Sequence, residues 1–230
     1  MTATLQGISS MATRQVLAEL TGAWERSAGH KVSLESVGGV DAAKRVAAGE
    51  AFDFVILASD ALDKLLAGGS AVPGTRVDIV DSGVAIAVRS GTRRPDVSSK
   101  DALRRAVLEA PTVGYSTGPS GVALVKIFQD WGIAQDLQGR LVQAPPGIPV
   151  GSLVARGEVA LGFQQLSELI HLQGIDVLPM PPDVQIVTTF SGAVCKAAAQ
   201  PQLARELLAF LASPEAAAAK RRQGMEPVAS

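Results

Sequence analysis

Small hydroxyl-bearing residues and glycines recur where an apolar, β-branched run gives way to a helical pattern. Four such junctions occur along the chain: Gly7–Ser10, Ser36–Gly39, Ser116–Gly121 and Pro145–Pro149. The first turn of a helix presents unpaired N–H groups and a partial positive charge, so a junction of this kind can hold an anion without lysine or arginine. Glycine lets the backbone approach a ligand closely, and hydroxyls add rotatable donors. The pattern favours recognition of a small anion.

The candidate ligand-binding residues are the members of these junctions, together with a serine that follows another strand. They are Ser9, Ser10, Gly38, Gly39, Ser59, Ser116, Thr117, Ser120, Gly121, Ile148 and Pro149. Any one junction is equally typical of an ordinary helix cap, and we expect Ser9 or Ser10, and Ser59 with Asp60, to cap the helices that follow them. Four junctions in one chain favour a ligand-binding role.

The elements that must position these residues follow an α/β layout, because apolar β-branched runs alternate with Ala- and Leu-rich helical stretches. The predicted strands are 3–7, 31–36, 51–58, 77–89, 112–115, 141–143, 159–163 and an extended run over 183–195. Helices are predicted around 16–24, over 40–48, after Ser59–Asp60, from near Ser120, over 150–155 and over the terminal stretch 201–225. In an open α/β sheet, ligands bind at the carboxyl ends of the strands, where the junctions lie.

Two long extended runs, 77–89 and 183–195, bracket a complete α/β set. We therefore predict that the chain leaves one lobe, builds a second and returns through two crossover hinge strands. Lobe one comprises residues 1–83 plus 190–230, lobe two comprises 84–189, and a ligand cleft lies between them. One continuous doubly wound sheet has the same local pattern and remains open as an alternative.

Composition excludes several classes of protein. The 230 residues are 47% hydrophobic, which is enough apolar mass for a buried core and argues against intrinsic disorder. With 21 lysines and arginines against 22 acidic residues, the net charge is −1, so the chain lacks the excess of positive charge that nucleic-acid binding requires. No apolar run is long enough for membrane insertion. One cysteine and two histidines do not predict a metal site, and no cofactor motif is present.

Five stretches in this order carry a family resemblance: GISSMATRQV, SVGGVDAAKRVAAGEAFDFVILASDALDKL, GYSTGPSGVALVKIFQDWGI, SLVARGEVALGFQQLSEL and ASPEAAAAKRRQGMEP. The chain resembles the molybdate-binding branch of the type 2 periplasmic solute-binding proteins. The resemblance implies a two-lobed type 2 periplasmic-binding-protein-like fold that closes by hinge motion. It also implies ligand contacts at Ser10, Gly39, Ser120 and Ile148–Pro149, and it places Gln165 where the family has a tyrosine.

Gln165 supplies an amide where the family uses a hydroxyl, and the loop with Ser116, Thr117 and Ser120 is rich in hydroxyls. Both features favour an organic polycarboxylate over a molybdate-type oxyanion. The related aconitate isomerases interconvert trans- and cis-aconitate without a cofactor, so an isomerase is the alternative to a binding protein. An isomerase needs a base, and the candidates are Ser10, Ser120, Lys44 and Glu168, which the sequence does not rank.

The compartment depends on the native start of the chain. The N-terminal residues lack the basic and apolar regions of a secretory signal. We expect a cytoplasmic protein if Met1 is the native start and a periplasmic one if a leader has been removed. A periplasmic binding protein would have an ABC transporter permease as its partner, whereas a cytoplasmic clamp would be an enzyme or a ligand-sensing module.

Overall fold

The computed structural model describes residues 2–228, so Met1, on which the prediction of the compartment depends, lies outside the described residues. The chain divides into two compact units, one formed by Met1–Ser82 with Thr188–Ser230 and the other by Gly83–Val187. The chain passes from the first unit to the second within the long strand Val77–Arg89, and it returns at the start of the strand Val187–Val194. The second unit is therefore an insertion in the first.

In chain order the elements are β1 (Thr4–Ser10), α1 (Arg14–Ala28), β2 (Lys31–Val37), α2 (Gly39–Ala47), β3 (Phe54–Ala58), α3 (Ser59–Ala67), β4 (Val77–Arg89), α4 (Lys100–Glu109), β5 (Val113–Tyr115), α5 (Pro119–Asp130), β6 (Leu141–Gln143), α6 (Val150–Ala155), β7 (Leu161–Gln165), α7 (Leu166–Leu169), β8 (Ile175–Pro179), β9 (Val187–Val194), α8 (Pro201–Ala212), α9 (Ala217–Arg222) and β10 (Glu226–Pro227). Short 3₁₀ turns cover Met11–Thr13, Pro182–Val184 and Pro214–Ala216. The alternation of strands and helices confirms the predicted α/β class.

In the sheet of the first unit, β1 lies between β2 and β3 and runs parallel to both. Ser9 is paired with Ser36 on one side and with Ile56 on the other. Strand β9 continues the sheet antiparallel to β3, and β10 pairs with the first half of β4. Because β1, β2 and β3 are parallel, their carboxyl ends lie at one edge of the sheet.

Helices cover both faces of this sheet. On one face, the apolar side of α1 packs with α8 and with Leu5 and Phe54 of the strands. On the other face, α2 and α3 pack against Ile8 and Val55. A Cβ at Gly7 would lie 2.1 Å from the Phe54 ring, so glycine is required there for β1 to accommodate the aromatic core.

In the sheet of the second unit, β7 lies between β4 and β5, and β5 also pairs with β6. Strands β5, β6 and β7 are parallel, whereas β4 is antiparallel to β7 and to β8 on its other side. Phe128 of α5 packs against Phe163 of β7 on one face, and Val154 of α6 packs on the other. The carboxyl ends of β5, β6 and β7 therefore share one edge.

The structure corrects the expected helix starts. Strand β1 continues through Ser10, which precedes a 3₁₀ turn at Met11–Thr13, so Thr13 rather than Ser9 or Ser10 occupies the N-cap position of α1, and it makes no side-chain capping bond. The prediction that Ser59 caps the next helix is also wrong, since Ser59 is itself the first residue of α3 and makes no capping bond.

Proline accounts for two further differences between the predicted and the observed elements. The extended run predicted over 183–195 begins instead as a 3₁₀ turn at Pro182–Val184, and the terminal helical stretch is interrupted at Pro214–Ala216. Proline lacks an N–H donor and restricts the residue before it, so it favours turns over continuous ladders. Helix α4 and strand β8 were not predicted from the sequence.

Candidate ligand-binding site

Ser9 and Ser10 end β1, but their hydroxyls are in different situations. The buried Ser9 hydroxyl lies 2.9 Å from the Ser36 hydroxyl, so it links the ends of β1 and β2. The Ser10 side chain is also buried, and its Oγ has no hydrogen-bond partner among residues 2–228. Leaving a buried hydroxyl unpaired costs about 1–3 kcal/mol, so this oxygen is a strong candidate for contact with a ligand.

The surroundings of Ser10 are backbone groups and small residues. Thr13 Oγ1 donates to the Ser10 carbonyl at 3.0 Å, which fixes the backbone and leaves the Ser10 hydroxyl unengaged. A Cβ at Gly39, the first residue of α2, would lie 3.7 Å from Ser10 Cβ. Gly38 precedes the helix without a side-chain cap, so the first-turn N–H groups beside Ser10 lack intrahelical partners.

Ser59 lies at the same edge of the sheet, after β3, but its hydroxyl is used within the protein. It lies 3.0 Å from the Thr189 carbonyl oxygen and 2.6 Å from Ser191 Oγ, which in turn donates to Asp78 Oδ1 at 2.5 Å. These bonds join α3, β9 and β4. Ser59 is therefore placed with the other predicted residues but is already hydrogen-bonded.

In the second unit, the loop after β5 brings several predicted residues together. The hydroxyls of Ser116 and Ser120 lie 3.2 Å apart, with Ser120 buried and Thr117 exposed. A Cβ at Gly121 would lie 1.9 Å from the Ser116 carbonyl oxygen, so no other residue fits this turn. The loop conformation depends on glycine and presents hydroxyls at the start of α5.

The loop between β6 and α6 ends near the same edge. Ile148 is 42% exposed, and Pro149 caps α6 in an extended conformation. Just inside the helix, the Gly151 N–H donates to Gln164 Oε1 at 3.3 Å. The amide of Gln164 thus connects the start of α6 to the carboxyl end of β7.

Gln164 and Gln165 end β7, and both are buried at 3% exposure. The sequence analysis identified Gln165 but missed Gln164, although two adjacent amides at the end of an apolar strand were a visible signal. Gln164 also hydrogen-bonds the carboxyl group of Glu168 in α7. The structure therefore links Gly151, Gln164 and Glu168 in one polar chain.

Glu168 has an unusual environment for a carboxyl group. Burial raises its pKa from 4.5 to about 7, and the hydrogen bond from Gln164 opposes this only in part. A carboxyl group with a pKa near neutrality can accept a proton and return it at physiological pH.

Lys44 lies away from these loops. It is an exposed residue in the last turn of α2, whereas Gly39 and the N–H groups described above begin that helix. The strand-end loops themselves contain no lysine or arginine. Attraction for an anion would therefore come from N–H groups, hydroxyls and amides.

Metal-binding clusters and membrane-spanning helices are two features that would identify particular classes of protein. In residues 2–228, no group of three or more histidine, cysteine, aspartate or glutamate side chains is arranged to hold a metal ion. Within the same range, none of the helices combines the length and the apolar character needed to cross a membrane.

The fold is that of a type 2 periplasmic binding protein, as the structural relatives show. The periplasmic molybdate-binding protein of Azotobacter vinelandii superimposes with a TM-score of 0.81 at 20% identity, covering 98% of this chain and 99% of that one. The family model for bacterial extracellular solute-binding proteins matches residues 5–226. The chain belongs to this family.

Two sequence relatives are named for different ligands. An aconitate isomerase from a Pseudomonas species is 39% identical over 232 residues, covering 98% of this chain and 88% of the relative. The molybdate-binding protein ModA of Rhodobacter capsulatus is 25% identical over 173 residues, covering 74% of this chain and 68% of the relative. These findings confirm the predicted resemblance to the molybdate-binding branch and its isomerase relatives.

Proposed function

We propose that the protein binds a small organic polycarboxylate through its strand-end loops. The observation that carries the proposal is Ser10, whose buried hydroxyl, beside the start of α2, lacks a partner in the part of the chain that the structure describes. A carboxylate oxygen would accept a hydrogen bond from this hydroxyl and from first-turn N–H groups, which removes the penalty of the unpaired donor.

The second unit supports a polycarboxylate over a tetrahedral oxyanion. Its loop offers the hydroxyls of Ser116, Thr117 and Ser120, and Gln165 lies at the end of the neighbouring strand. Several separate donors suit a ligand with several carboxylates. The relative that is 39% identical is named for a tricarboxylate, aconitate, whereas the molybdate-binding relative is more distant at 25%.

Isothermal titration calorimetry tests this proposal with trans-aconitate, cis-aconitate, citrate, molybdate and tungstate. We expect binding of at least one tricarboxylate and about tenfold weaker binding by Ser10→Ala, the loss of one charge-assisted hydrogen bond. Ser33→Ala, at an exposed position of β2, is the matched control and should bind as the wild type does. Binding of molybdate alone, or of none of these anions, would contradict the proposal.

Catalysis is a second candidate function, favoured by Glu168 and its raised pKa. In an aconitate-type isomerisation, a base removes a proton from the methylene carbon beside a carboxylate and the same proton returns at the far end of the allylic system. The double bond moves and can re-form with the other geometry, with no net change in atoms or electrons. Glu168 would move the proton, and Gln164 would orient its carboxyl group.

Chromatography of cis- and trans-aconitate after incubation with the protein tests catalysis. We expect interconversion by the wild type, a loss of at least about a hundredfold in Glu168→Gln, and retained ligand binding in that variant. Glu215→Gln, at an exposed position outside the site, is the control. No conversion at saturating trans-aconitate would leave binding as the function.

The proposed partner depends on the compartment in which the protein works. One structural relative is described as the substrate-binding domain of a putative molybdenum ABC transporter from Clostridium difficile. If the present protein is exported, an ABC transporter permease is its proposed partner. Fractionation of cells that produce the protein from its own gene distinguishes a periplasmic binding protein from a cytoplasmic enzyme or sensor.

A further inference from the structure

A second concave region of the second unit lies at the edge of the sheet opposite the strand-end loops. Gln165, at the carboxyl end of β7, pairs with Val84, whereas Gly162, near its amino end, pairs with Ala87. Arg89, the last residue of β4, therefore lies beyond the amino end of β7. A pocket of about 600 Å³ opens there, formed by the end of β4, the segment 92–96, α4 and the turn before β7.

Most of the charged side chains that line this pocket, called the arginine pocket below, are arginines. Arg89, Arg93, Arg94 and Arg105 line it, against two acidic residues, Asp96 and Glu109. Arg94 is paired with Asp176 at 3.0 Å. The charge of Arg105 contributes to lowering the pKa of Asp96, whereas Arg89 and Arg93 form no ion pair within 4.0 Å among residues 2–228. The local excess of cations contrasts with the chain's net charge of −1, so it does not reflect a generally basic surface.

The pocket also has an apolar side and a fixed backbone. Ala102, Ala106 and Val159, all buried, contribute to its lining. The φ of Gly157 is +78°, a conformation that favours glycine, and a Cβ there would be in ordinary contact with Arg89 Nη1 at 3.4 Å, so this turn lies against the guanidinium. Guanidinium groups beside an apolar wall suit a ligand that carries anionic groups on an apolar body.

We propose that the arginine pocket binds a small anion with two or more carboxylate or phosphate groups. The planar guanidinium matches both groups through paired N–H donors. A volume of about 600 Å³ lies in the range of small-molecule sites. Carboxylate and phosphate ligands share this chemistry, so the test uses one probe of each kind, phthalate and inorganic pyrophosphate.

Titration of the full chain with each probe, followed by amide NMR in the presence of saturating trans-aconitate, tests the proposal. We expect shifts at Arg89, Ala106 and Gly157, with the Ser116–Gly121 loop unchanged. Arg89→Gln and Arg105→Gln should each weaken binding by about tenfold, and added salt should weaken it further. Arg104→Gln, on α4 but outside the pocket lining, is the matched control and should change the affinity less than twofold.

The arginine variants replace exposed side chains, so we expect them to fold and to bind the tricarboxylate as the wild type does. Three results would overturn the proposal: no binding of either probe at millimolar concentration, unchanged affinity in the variant that carries both substitutions, or shifts confined to the Ser116–Gly121 loop. If trans-aconitate itself does not bind, the titration without it still tests the arginine pocket, so failure of the proposed function is recognised separately.

Discussion

Gly121 and Ser10 show how small residues shape the strand-end loops. At Gly121 the backbone of the loop occupies the place of a side chain, 1.9 Å from where a Cβ would be. At Ser10 the side chain is present, but its buried hydroxyl has no partner within the described range 2–228. The first residue sets the path of the chain, and the second provides a group for binding.

Gly121→Ala should destabilise the protein by about 1–3 kcal/mol, since the Ser116 carbonyl must move to admit the methyl group. Tricarboxylate binding should weaken in the same variant. Urea unfolding and calorimetry measure the two effects. Gly22→Ala is the control, because the nearest atom to its Cβ lies 3.7 Å away and alanine favours a helix. Equal stability of Gly121→Ala and the wild type would show that the loop adapts.

Glu168 predicts how stability depends on pH. Its pKa is raised from 4.5 to about 7 in the folded protein. The protonated form is favoured by folding, so its contribution is fully present below pH 4.5 and is lost as the pH rises through about 7. Between pH 5 and pH 8 the free energy of unfolding should fall by up to about 3 kcal/mol on this account.

Urea unfolding at pH 5 and pH 8 measures this dependence. Glu168→Gln stays neutral at both values, so the difference attributed to Glu168 should disappear in that variant. Glu215→Gln, at an exposed position, should keep the pH dependence of the wild type. A wild-type pH dependence that persists in Glu168→Gln would refute the assignment.

At the level of elements, helix α4 carries local sequence signals of a helix, although the sequence analysis did not predict it. Its sequence, KDALRRAVLE, is half charged, and only Ala102, Leu103, Ala106 and Val107 form its buried side. The Ser99 hydroxyl accepts a hydrogen bond from the Ala102 N–H at 3.2 Å and caps the helix. The cap and the spacing of apolar residues are the signals that the sequence offered.

Ser99→Ala should lower the free energy of unfolding by about 1 kcal/mol, because it removes the cap of α4. Thermal or urea unfolding measures the change, with Ser33→Ala as the control at an exposed strand position. Since α4 forms one wall of the arginine pocket, pyrophosphate affinity should also fall in Ser99→Ala. A stability equal to that of the control would show that the cap contributes nothing.

Other elements were predicted with their observed bounds. The strand Val77–Arg89, the strand Leu141–Gln143 and the helix Val150–Ala155 each have an apolar pattern that ends at charged, glycine or proline residues. Strand β8 was missed, because its buried and exposed residues alternate over only five positions, Ile175–Pro179, and it ends in prolines. Its place is decided by pairing with β4, which is a tertiary contact.

At the scale of the whole molecule, the chain is a bacterial extracellular solute-binding protein by family, with one unit inserted in the other. Any anion that binds only the folded protein must raise its stability. With free ligand at about 100 times Kd, the expected gain is about 2.7 kcal/mol. For a chain of this size, that corresponds to a rise in Tm of roughly 5–10 °C.

Differential scanning calorimetry with trans-aconitate or citrate measures this shift. The rise in Tm should grow with ligand concentration and should be smaller in Ser10→Ala at the same concentration. Ser33→Ala should match the wild type. A Tm that is independent of every tricarboxylate tested would contradict the proposed binding function.

The sequence by itself determined the α/β class, the positions of the strand-end junctions and the family resemblance, because these depend on local periodicity and residue order. Only the tertiary structure decided which junction hydroxyls are engaged. Ser59 bonds to Ser191, 132 residues away, and Ser9 bonds to Ser36, whereas no described residue is a partner of the Ser10 hydroxyl. Hydrogen-bond partners that are distant in the chain leave no mark in the local pattern, and so the protein's free and engaged donors emerge only once the sheet is assembled.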